Sequence, residues 1–362
     1  MTDAKYAPYT YVHDYQTVHN AAQILSKAPY LVLDSEGESL GTTGGALSVF
    51  CLGGSGKIFV FDALFLTDPS KKSIKSLLDL LVNPAIPKVM WDGRCDFMEL
   101  FLSYGVHLQG VVDLQIAEIT SRSLRGEKEF NRIGRLAGRS NGFSREILKK
   151  NRELFANIHV VSGMSDIVNK YQLGQGIAKD DVVVAMHRAG ESSRWMERPL
   201  SHTLMQYAAN DIFLIDAVFK FFAQSNYLPV PQIVNMSDRY VSLYNSRVQK
   251  DSETELGANR YVMMDALMDS PPGTPFFTCH RCTRVIPLSG FETSGGKVPA
   301  GGRKRSTSQK SATASSDDLG RRQRSKYCRL CSLCVTGTFL VPIFGLALDY
   351  ITGPTLVTTH CR

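Results

Sequence analysis

Two carboxylates follow the first strand-like run of the chain, and they constrain its fold more than any other feature. Tyr30 to Leu33 is a short apolar run typical of a buried strand, and Asp34-Ser35-Glu36 comes directly after it. Alternate side chains of an extended segment share a face, so Asp34 and Glu36 point the same way. Neighbouring carboxylates repel each other, so a chain that builds this pair needs positive charge beside it.

The hydrophobic pattern around this pair predicts an α/β fold with a mixed sheet and helices on both faces. The turn Gly53-Gly54-Ser55-Gly56 joins two strand-like runs and is typical of a hairpin. Further short strands are predicted to alternate with helices. The predicted strands are 46–52, 57–61, the end of "NPAIPKVMW" at 83–91, and 110–114; the predicted helices are 17–28, 71–82, 96–104 and 201–222.

Two more carboxylates and a tyrosine stand where they could join the first pair. Asp96 lies at the start of a predicted helix, just after a strand, and Asp211 lies on the strongest helix. Tyr207 precedes Asp211 by one helical turn, so both share a helix face. Four converging oxygen donors suit two divalent cations, which sit about 3.5–4 Å apart in phosphoryl-transfer sites. An all-oxygen ligand set favours Mg²⁺ or Mn²⁺ over Zn²⁺.

The order and spacing of these motifs resemble the DEDDy 3′-5′ exonucleases, the ribonuclease D and Werner-type exonuclease domains with a ribonuclease H-like sheet. Asp34-x-Glu36, then Asp96, then Tyr207-x-x-x-Asp211 carry the resemblance over roughly residues 10 to 225. "WMERPL" at 195–200 is similar to ribonuclease D, and "WDGRCD" at 91–96 is similar to eukaryotic 3′-5′ exonuclease domain-containing proteins.

The resemblance implies a catalytic set of Asp34, Glu36, Asp96, Tyr207 and Asp211. In such enzymes the four acids hold two Mg²⁺ or Mn²⁺ ions and the tyrosine orients the attacking water. The implied reaction releases nucleoside 5′-monophosphates from single-stranded nucleic acid, with RNA favoured over DNA. Taken singly, each acid could be an ordinary loop or helix-start residue, and Tyr207 could be a core residue.

Two residues near the motifs are predicted to support the site. Asp113 follows an apolar strand and could support the metal ligands without binding the metal itself. Arg198 could contact phosphate or pair with a nearby acid; the sequence leaves both alternatives open.

Paired cysteines near the C-terminal end indicate a second kind of metal site. Two C-x-x-C motifs in an intracellular chain are typical of a structural zinc site. The simplest ligand set is Cys279, Cys282, Cys328 and Cys331, and Cys334 or His280 could replace a ligand. We therefore expect a small zinc module, which could also bind a protein partner.

Composition and charge fit this interpretation. The net charge of +7 is compatible with a polyanionic partner, and 122–152 holds ten Lys or Arg against three Glu, which could contact a nucleic-acid backbone. The N-terminal stretch does not resemble a signal peptide, so an intracellular location is expected. "GRKRS" at 302–306 and "RRQRSK" at 321–326 favour the nucleus over the cytoplasm. The apolar runs are too short for a membrane span, and no membrane contact is expected.

These features predict a chain of several parts. The expected parts are an exonuclease domain at 10–230, a helical connector at 231–275, a zinc module at 276–334 interrupted by a disordered basic linker at 295–326, and an apolar tail at 335–362. The alternative to an enzyme is a catalytically silent nucleic-acid-binding or adaptor protein. Retention of all four acids and the tyrosine argues against that alternative, because binding does not need them.

Overall fold

The computed structural model of the chain describes residues 6–42, 44–137, 143–177, 180–229, 231–242, 260–280, 285–293 and 324–329. Within these residues the chain forms two compact units. The first unit holds residues up to 132 and from 159 to 262, and the second holds 133–158 and the described residues from 263 onwards. No helix in the described ranges has the length and apolar character that a membrane span requires.

Helices and strands alternate along most of residues 10–263. The strands are β1 (Thr10–Val12), β2 (Leu31–Glu38), β3 (Ala46–Gly54), β4 (Lys57–Asp62), β5 (Lys88–Met90), β6 (Val111–Asp113), β7 (Ile158–Val160) and β8 (Tyr261–Met263). The helices are α1 (Tyr15–Leu25), α2 (Lys72–Val82), α3 (Arg94–Tyr104), α4 (Leu114–Ser121), α5 (Glu129–Leu136), α6 (Arg145–Lys150), α7 (Met164–Tyr171), α8 (Asp181–Arg188), α9 (His202–Gln224) and α10 (Gln232–Val241). A 3₁₀ helix at Ser192–Met196 precedes α9.

A mixed sheet forms the centre of the first unit. Six strands are ordered β1-β4-β3-β2-β5-β6 within the described residues. The strands β2, β3 and β4 form an antiparallel meander, whereas β1, β5 and β6 each pair in parallel with a neighbour. The predicted mixed α/β architecture is therefore confirmed.

Helices cover both faces of this sheet, and two adjacent glycines of β3 show how closely they approach. A Cβ on Gly53 would lie 2.6 Å from Cγ2 of Ile212 in α9, and one on Gly54 would lie 3.0 Å from Cβ of Ala28, just after α1. Neighbouring residues of a strand point to opposite faces. The glycines therefore let α9 pack closely on one face and the end of α1 on the other.

The hairpin between β3 and β4 is tighter than the sequence predicts. The strands continue to Gly54 and Lys57, which are paired, so the turn consists of Ser55 and Gly56 alone. Both turn residues have positive φ, 50° and 72°, as a type I′ turn requires. Two of the four predicted turn residues are therefore strand residues.

The strand β2 also runs further than predicted, through the acidic pair to Glu38. Asp34 pairs with Cys51 and Glu36 with Val49 of β3, which extends the strand beyond its apolar part. The two carboxylates thus lie within a strand and not after it. They share one face, as the alternation predicts.

The second unit contains two short antiparallel strand pairs among its described residues. The strand β9 (Phe276–Thr278) pairs with β10 (Val285–Pro287), and β11 (Phe291–Thr293) pairs with β12 (Arg324–Cys328). The strand β12 includes residues 324–326, at the end of the stretch predicted to be a linker. The rest of that predicted linker and the predicted tail at 335–362 lie outside the described residues.

Candidate active site

Three of the predicted metal ligands converge on one face of the central sheet. Asp34 and Glu36 come from β2, and Asp211 comes from α9, which packs on that face. One carboxylate oxygen from each residue lies within 4.8 Å of the other two, and all three residues are buried. The strand alternation and the position of α9 explain this convergence.

Three carboxylates at this separation could hold a divalent cation. Two negative charges repel strongly when burial removes the water between them, so a third charge raises the cost further. A cation with oxygen preference relieves that repulsion, and a donor set made only of carboxylates matches Mg²⁺ or Mn²⁺. The residues present therefore fit the predicted metal type.

Asp96 lies in the first turn of α3 and is also buried. It is not among the three carboxylates whose oxygens approach within 4.8 Å. Gly93 occupies the N-cap of α3 and offers no side chain to cap the helix. Other groups must therefore fix the start of the helix that carries Asp96.

Asp113 is the residue that holds the start of α3. Its carboxylate accepts the Gly93 amide at 2.8 Å and the Asp92 amide at 3.4 Å, just before the helix. The same carboxylate caps α4 by accepting the amides of Gln115 at 2.9 Å and Ile116 at 3.4 Å. One buried carboxylate thus joins the starts of two helices, in keeping with the supporting position that the sequence suggests.

Asp113 should make stability depend on pH. Burial, with Asp92 nearby, raises the pKa of the Asp113 carboxyl to about 7. An unfolded aspartate has a pKa of about 3.9, so between about pH 4 and pH 7 the folded chain retains a proton that the unfolded chain has lost. The free energy of unfolding should therefore fall as pH rises through that window. Asp113→Asn keeps an acceptor oxygen but removes the titration.

Urea denaturation of the wild type and Asp113→Asn in metal-free buffer measures this effect. We expect the stability of the wild type relative to the variant to decrease from about pH 4 to about pH 7 and then level off. A difference that does not change with pH would contradict the assigned titration.

Tyr207 lies one turn before Asp211 on α9 and is buried in a ring cluster. Its ring centroid is 5.9 Å from that of His187 and 6.4 Å from that of Trp195. The Trp195 indole N–H donates to Nε2 of His187 at 3.4 Å. The sequence singles out Tyr207 and Trp195 but gives no signal for His187, which comes from the separate helix α8.

Arg198 pairs with an acid, which is one of the two alternatives that the sequence leaves open. Its Nε and Nη2 donate to the Asp62 carboxylate at 2.7 and 2.8 Å. Nη2 also donates to Ser48 Oγ at 3.0 Å, and Nη1 donates to the carbonyls of Trp195 and Glu197 at 2.9 and 2.8 Å. All five N–H groups of the guanidinium are engaged, so Arg198 fastens the segment before α9 to β3 and β4.

Glu99 is a buried carboxylate close to these elements that sequence reasoning missed. It lies on α3, three residues after Asp96, and burial raises the pKa of its carboxyl. Its Oε1 accepts the Gly41 amide at 2.9 Å. A Cβ on Gly45 would lie 3.2 Å from the same oxygen. Glu99 therefore fixes the loop between β2 and β3, directly after the acidic pair.

Several cations of the basic stretch at 122–152 are engaged within the protein. Arg122 donates from Nε to the buried Glu118 carboxylate at 3.0 Å, and Arg125 pairs with the same carboxylate at 2.8 Å. Arg132 pairs with Glu129 at 2.6 Å. These three arginines make ion pairs within the protein.

Two of the predicted zinc ligands are adjacent in the second unit. The Cys328 amide donates to Sγ of Cys279 at 3.3 Å, and both residues are buried. The His280 amide donates to the Lys326 carbonyl at 3.1 Å, which joins the same two segments. Cys282, Cys331 and Cys334 lie outside the described residues.

Comparison with known proteins identifies the family. A 3′-5′ exonuclease family model matches residues 9–225, more than half of the chain. The chain belongs to the 3′-5′ exonuclease family. The matched region contains the three converging carboxylates, Asp96 and Tyr207. A separate comparison with the curated proteins found no match.

Solved structures of related exonucleases show limited similarity. Trypanosoma brucei RNase D is 23% identical, with a TM-score of 0.47, and the match covers 69% of this chain and 77% of that one. The same protein in complex with RNA U12 gives the same identity and score, with 75% of that chain covered. Escherichia coli RNase D is 17% identical, with a TM-score of 0.43, and the match covers 70% of this chain and 55% of that one. The family assignment rests on the match over 9–225.

Proposed function

We propose that this exonuclease degrades single-stranded nucleic acid from the 3′ end, with RNA favoured over DNA, and releases nucleoside 5′-monophosphates. The observation that carries the proposal is the convergence of Asp34, Glu36 and Asp211 within the region that matches the family. The preference for RNA rests on the resemblance of the sequence motifs to exonucleases that act on RNA.

Four acids would hold two Mg²⁺ or Mn²⁺ ions. By analogy with the family, Asp34, Glu36 and Asp211 would hold one ion, and Asp96 together with Asp34 would complete the ligand set. Such ions supply charge that activates water and stabilises the oxygens of an in-line displacement at phosphorus. The buried position of the acids keeps bulk water from competing for their oxygens.

Tyr207 would orient the attacking water with its hydroxyl group. A tyrosine hydroxyl ordinarily has a pKa of about 10, so it is a poor base at neutral pH. It can still donate and accept hydrogen bonds, which suits it to orienting a water molecule. The cluster with His187 and Trp195 holds the ring in one position. Tyr207 and Asp211 are four residues apart on α9, so the two side chains share one helix face, which supports this role.

Degradation of matched RNA and DNA oligonucleotides tests this function. The wild-type chain with Mg²⁺ or Mn²⁺ should release mononucleotides from single strands, and chromatography should identify them as 5′-monophosphates. RNA should be consumed faster than DNA of the same sequence. If the chain binds the RNA and the DNA oligonucleotides but leaves both intact with either metal, the adaptor alternative is correct instead.

We also propose a structural zinc site in the second unit, with Cys279, Cys282, Cys328 and Cys331 as the simplest ligand set. The proposal is supported by the two C-x-x-C motifs and by the burial and proximity of Cys279 and Cys328, which are 49 residues apart. A backbone amide that donates to sulfur stabilises a thiolate, the form that binds zinc.

Elemental analysis of the purified full chain tests the zinc proposal. We expect about one zinc per chain for a closed tetrahedral site, and a loss of that zinc in Cys279→Ser. The matched control is Cys51→Ala, a buried cysteine of β3 that should leave the zinc content unchanged. Zinc retained at full stoichiometry in Cys279→Ser, or absent from the wild type, would contradict the site.

A further inference from the structure

Helix α10 lies beyond the region that matches the exonuclease family, yet it is bonded to the central sheet. The Asp113 amide donates to Oγ of Ser237 at 2.9 Å, and the Val111 amide donates to Oδ1 of Asp238 at 2.9 Å. These bonds satisfy backbone amides on the outer edge of β6, the last strand in the sheet order. An edge strand otherwise presents unpaired amides, so α10 completes the sheet.

Tyr240 carries the contact from α10 towards the acidic site. It is a large and almost fully buried side chain near the end of the helix. Its hydroxyl oxygen lies 2.6 Å from Oε1 of Gln115 and 3.0 Å from Oδ1 of Asp92. Gln115 in turn donates from Nε2 to the Ser162 carbonyl at 3.2 Å, which fixes its amide with the oxygen towards Tyr240. The hydroxyl, which has one proton to donate, therefore lies within hydrogen-bond distance of two acceptors in the protein interior.

Asp92 has an unusual backbone conformation that these contacts maintain. Its φ of 54° is left-handed, which a non-glycine residue adopts at some cost in energy. Its carboxylate accepts two hydrogen bonds from Arg94, at 2.6 Å from Nε and 2.9 Å from Nη2. The Arg94 guanidinium lies 4.6 Å from the centroid of the Tyr240 ring. Tyr240 thus contacts both members of the ion pair, one through its hydroxyl and one through its ring.

The ion pair stands at the start of α3, two residues before Asp96. Gly93 lies between its two members and donates its amide to the Asp113 carboxylate at 2.8 Å. The first turn of α3 is therefore held from two sides, by Asp113 and by Tyr240. Metal ligands need to be held within a fraction of an ångström, so the residues that fix this turn also fix Asp96.

We infer that Tyr240 is a positioning residue for Asp96, acting through Asp92 and Arg94. Helix α10, which carries Tyr240, therefore belongs to the catalytic unit of the exonuclease. The inference rests on the proposed function, in which Asp96 completes the metal site. It extends the catalytic unit past residue 230, where the sequence places the end of the domain, and past residue 225, where the family match ends.

The test uses the full chain with Tyr240→Phe, which removes only the hydroxyl and keeps the ring beneath Arg94. The matched control is Asn235→Ala, an exposed position on the same helix. For each protein we would measure kcat and KM with single-stranded RNA over a range of Mg²⁺ concentrations, together with the thermal unfolding midpoint. Loss of a hydrogen bond to a charged group should lower kcat about tenfold. It should also raise the Mg²⁺ concentration for half-maximal rate severalfold, with KM for RNA unchanged.

A second variant separates positioning from packing. Asp92→Asn should reproduce the change in Mg²⁺ dependence, and the double variant should be little worse than either single one because the residues act as one chain of contacts. If both single variants keep the wild-type Mg²⁺ dependence, the inference is overturned, whatever they do to stability. Calorimetric titration with Mn²⁺ compares the metal affinity of the variants with that of the wild type without relying on turnover. An inactive wild type would therefore defeat the proposed function, whereas unchanged Mn²⁺ affinity in both variants would defeat the positioning role.

Discussion

Replacing Asp211 with asparagine should abolish nucleolytic activity while leaving the fold intact. Asp211 is the only one of the three converging carboxylates that comes from α9, so its loss leaves two ligands from β2 alone. Removing a single preorganised electrostatic group from an active site commonly costs about 10²- to 10³-fold in rate, and a metal ligand should cost at least as much. Asparagine has nearly the same shape and removes only the charge.

The matched control lies five residues further along the same helix. Asp216 accepts the Tyr30 hydroxyl at 2.7 Å and pairs with Lys220 at 2.6 Å, away from the carboxylate cluster. Asp216→Asn should keep wild-type activity. Activity retained in Asp211→Asn, or lost equally in both variants, would show that the carboxylate cluster is not the reaction centre.

Added metal should stabilise the wild type much more than it stabilises Asp211→Asn. Without metal, the variant should be more stable by an amount on the order of a few kcal/mol, because it lacks one of three mutually repelling buried charges. With Mg²⁺ at about 100 times its Kd, binding should stabilise the wild type by about 2.7 kcal/mol. The variant should gain much less. Thermal or urea denaturation with Mg²⁺ and with EDTA measures both differences.

Of the substitutions proposed for this site, breaking the Arg198–Asp62 pair should lower the free energy of unfolding the most. Asp62 is fully buried, and Arg198→Met leaves its carboxylate without the bidentate cation. Removing one partner of a buried ion pair typically costs about 3–5 kcal/mol. Methionine preserves much of the side-chain volume, so the loss reports the charge and its hydrogen bonds rather than a cavity.

Arg194→Met is the appropriate comparison for that substitution. Arg194 pairs with Glu191 at 2.9 Å, but their side chains are 56% and 48% exposed. Exposed pairs contribute about 0–1 kcal/mol, so this variant should be nearly neutral. Urea denaturation of the two variants checks the contrast. Equal stability of both, combined with a raised KM for RNA in Arg198→Met alone, would indicate that Arg198 contacts phosphate instead.

The acids of the site could be predicted because their positions follow from regular periodicities. Asp34 and Glu36 share a strand face through the two-residue repeat, and Tyr207 and Asp211 share a helix face through the four-residue spacing. These relations are local and survive any tertiary arrangement. That a helix would bring Asp211 to the face of β2 came from the resemblance, because no spacing in the sequence fixes it.

The residues that hold the site in place could not be predicted in the same way. Asp62, Glu99 and Tyr240 each act through partners that are distant in the sequence. The hydroxyl of Tyr240 reaches Asp92 across 148 residues, and Arg198 reaches Asp62 across 136. An isolated acid, arginine or tyrosine carries no local signal of such pairing. Only the topology of the sheet and the packing of α9 and α10 bring the partners together.

Strand ends were also beyond the reach of sequence patterns. The glycines at 53 and 54 resemble turn residues, yet they lie in β3 because two helices need close approach there. The polar residues Asp34 and Glu36 resemble a strand end, yet pairing with β3 continues past them. In both cases tertiary packing overrides the local preference.

The most direct test of the central claim is a time course on a 5′-labelled single-stranded RNA with a free 3′ hydroxyl. With Mg²⁺, the wild-type chain should shorten the RNA progressively from its 3′ end, and EDTA should stop the reaction. Asp211→Asn should leave the RNA at full length, while Asp216→Asn should shorten it as the wild type does. RNA that stays at full length with the wild type in both Mg²⁺ and Mn²⁺, or that Asp211→Asn still shortens, would contradict a metal-dependent 3′-5′ exonuclease centred on Asp34, Glu36 and Asp211.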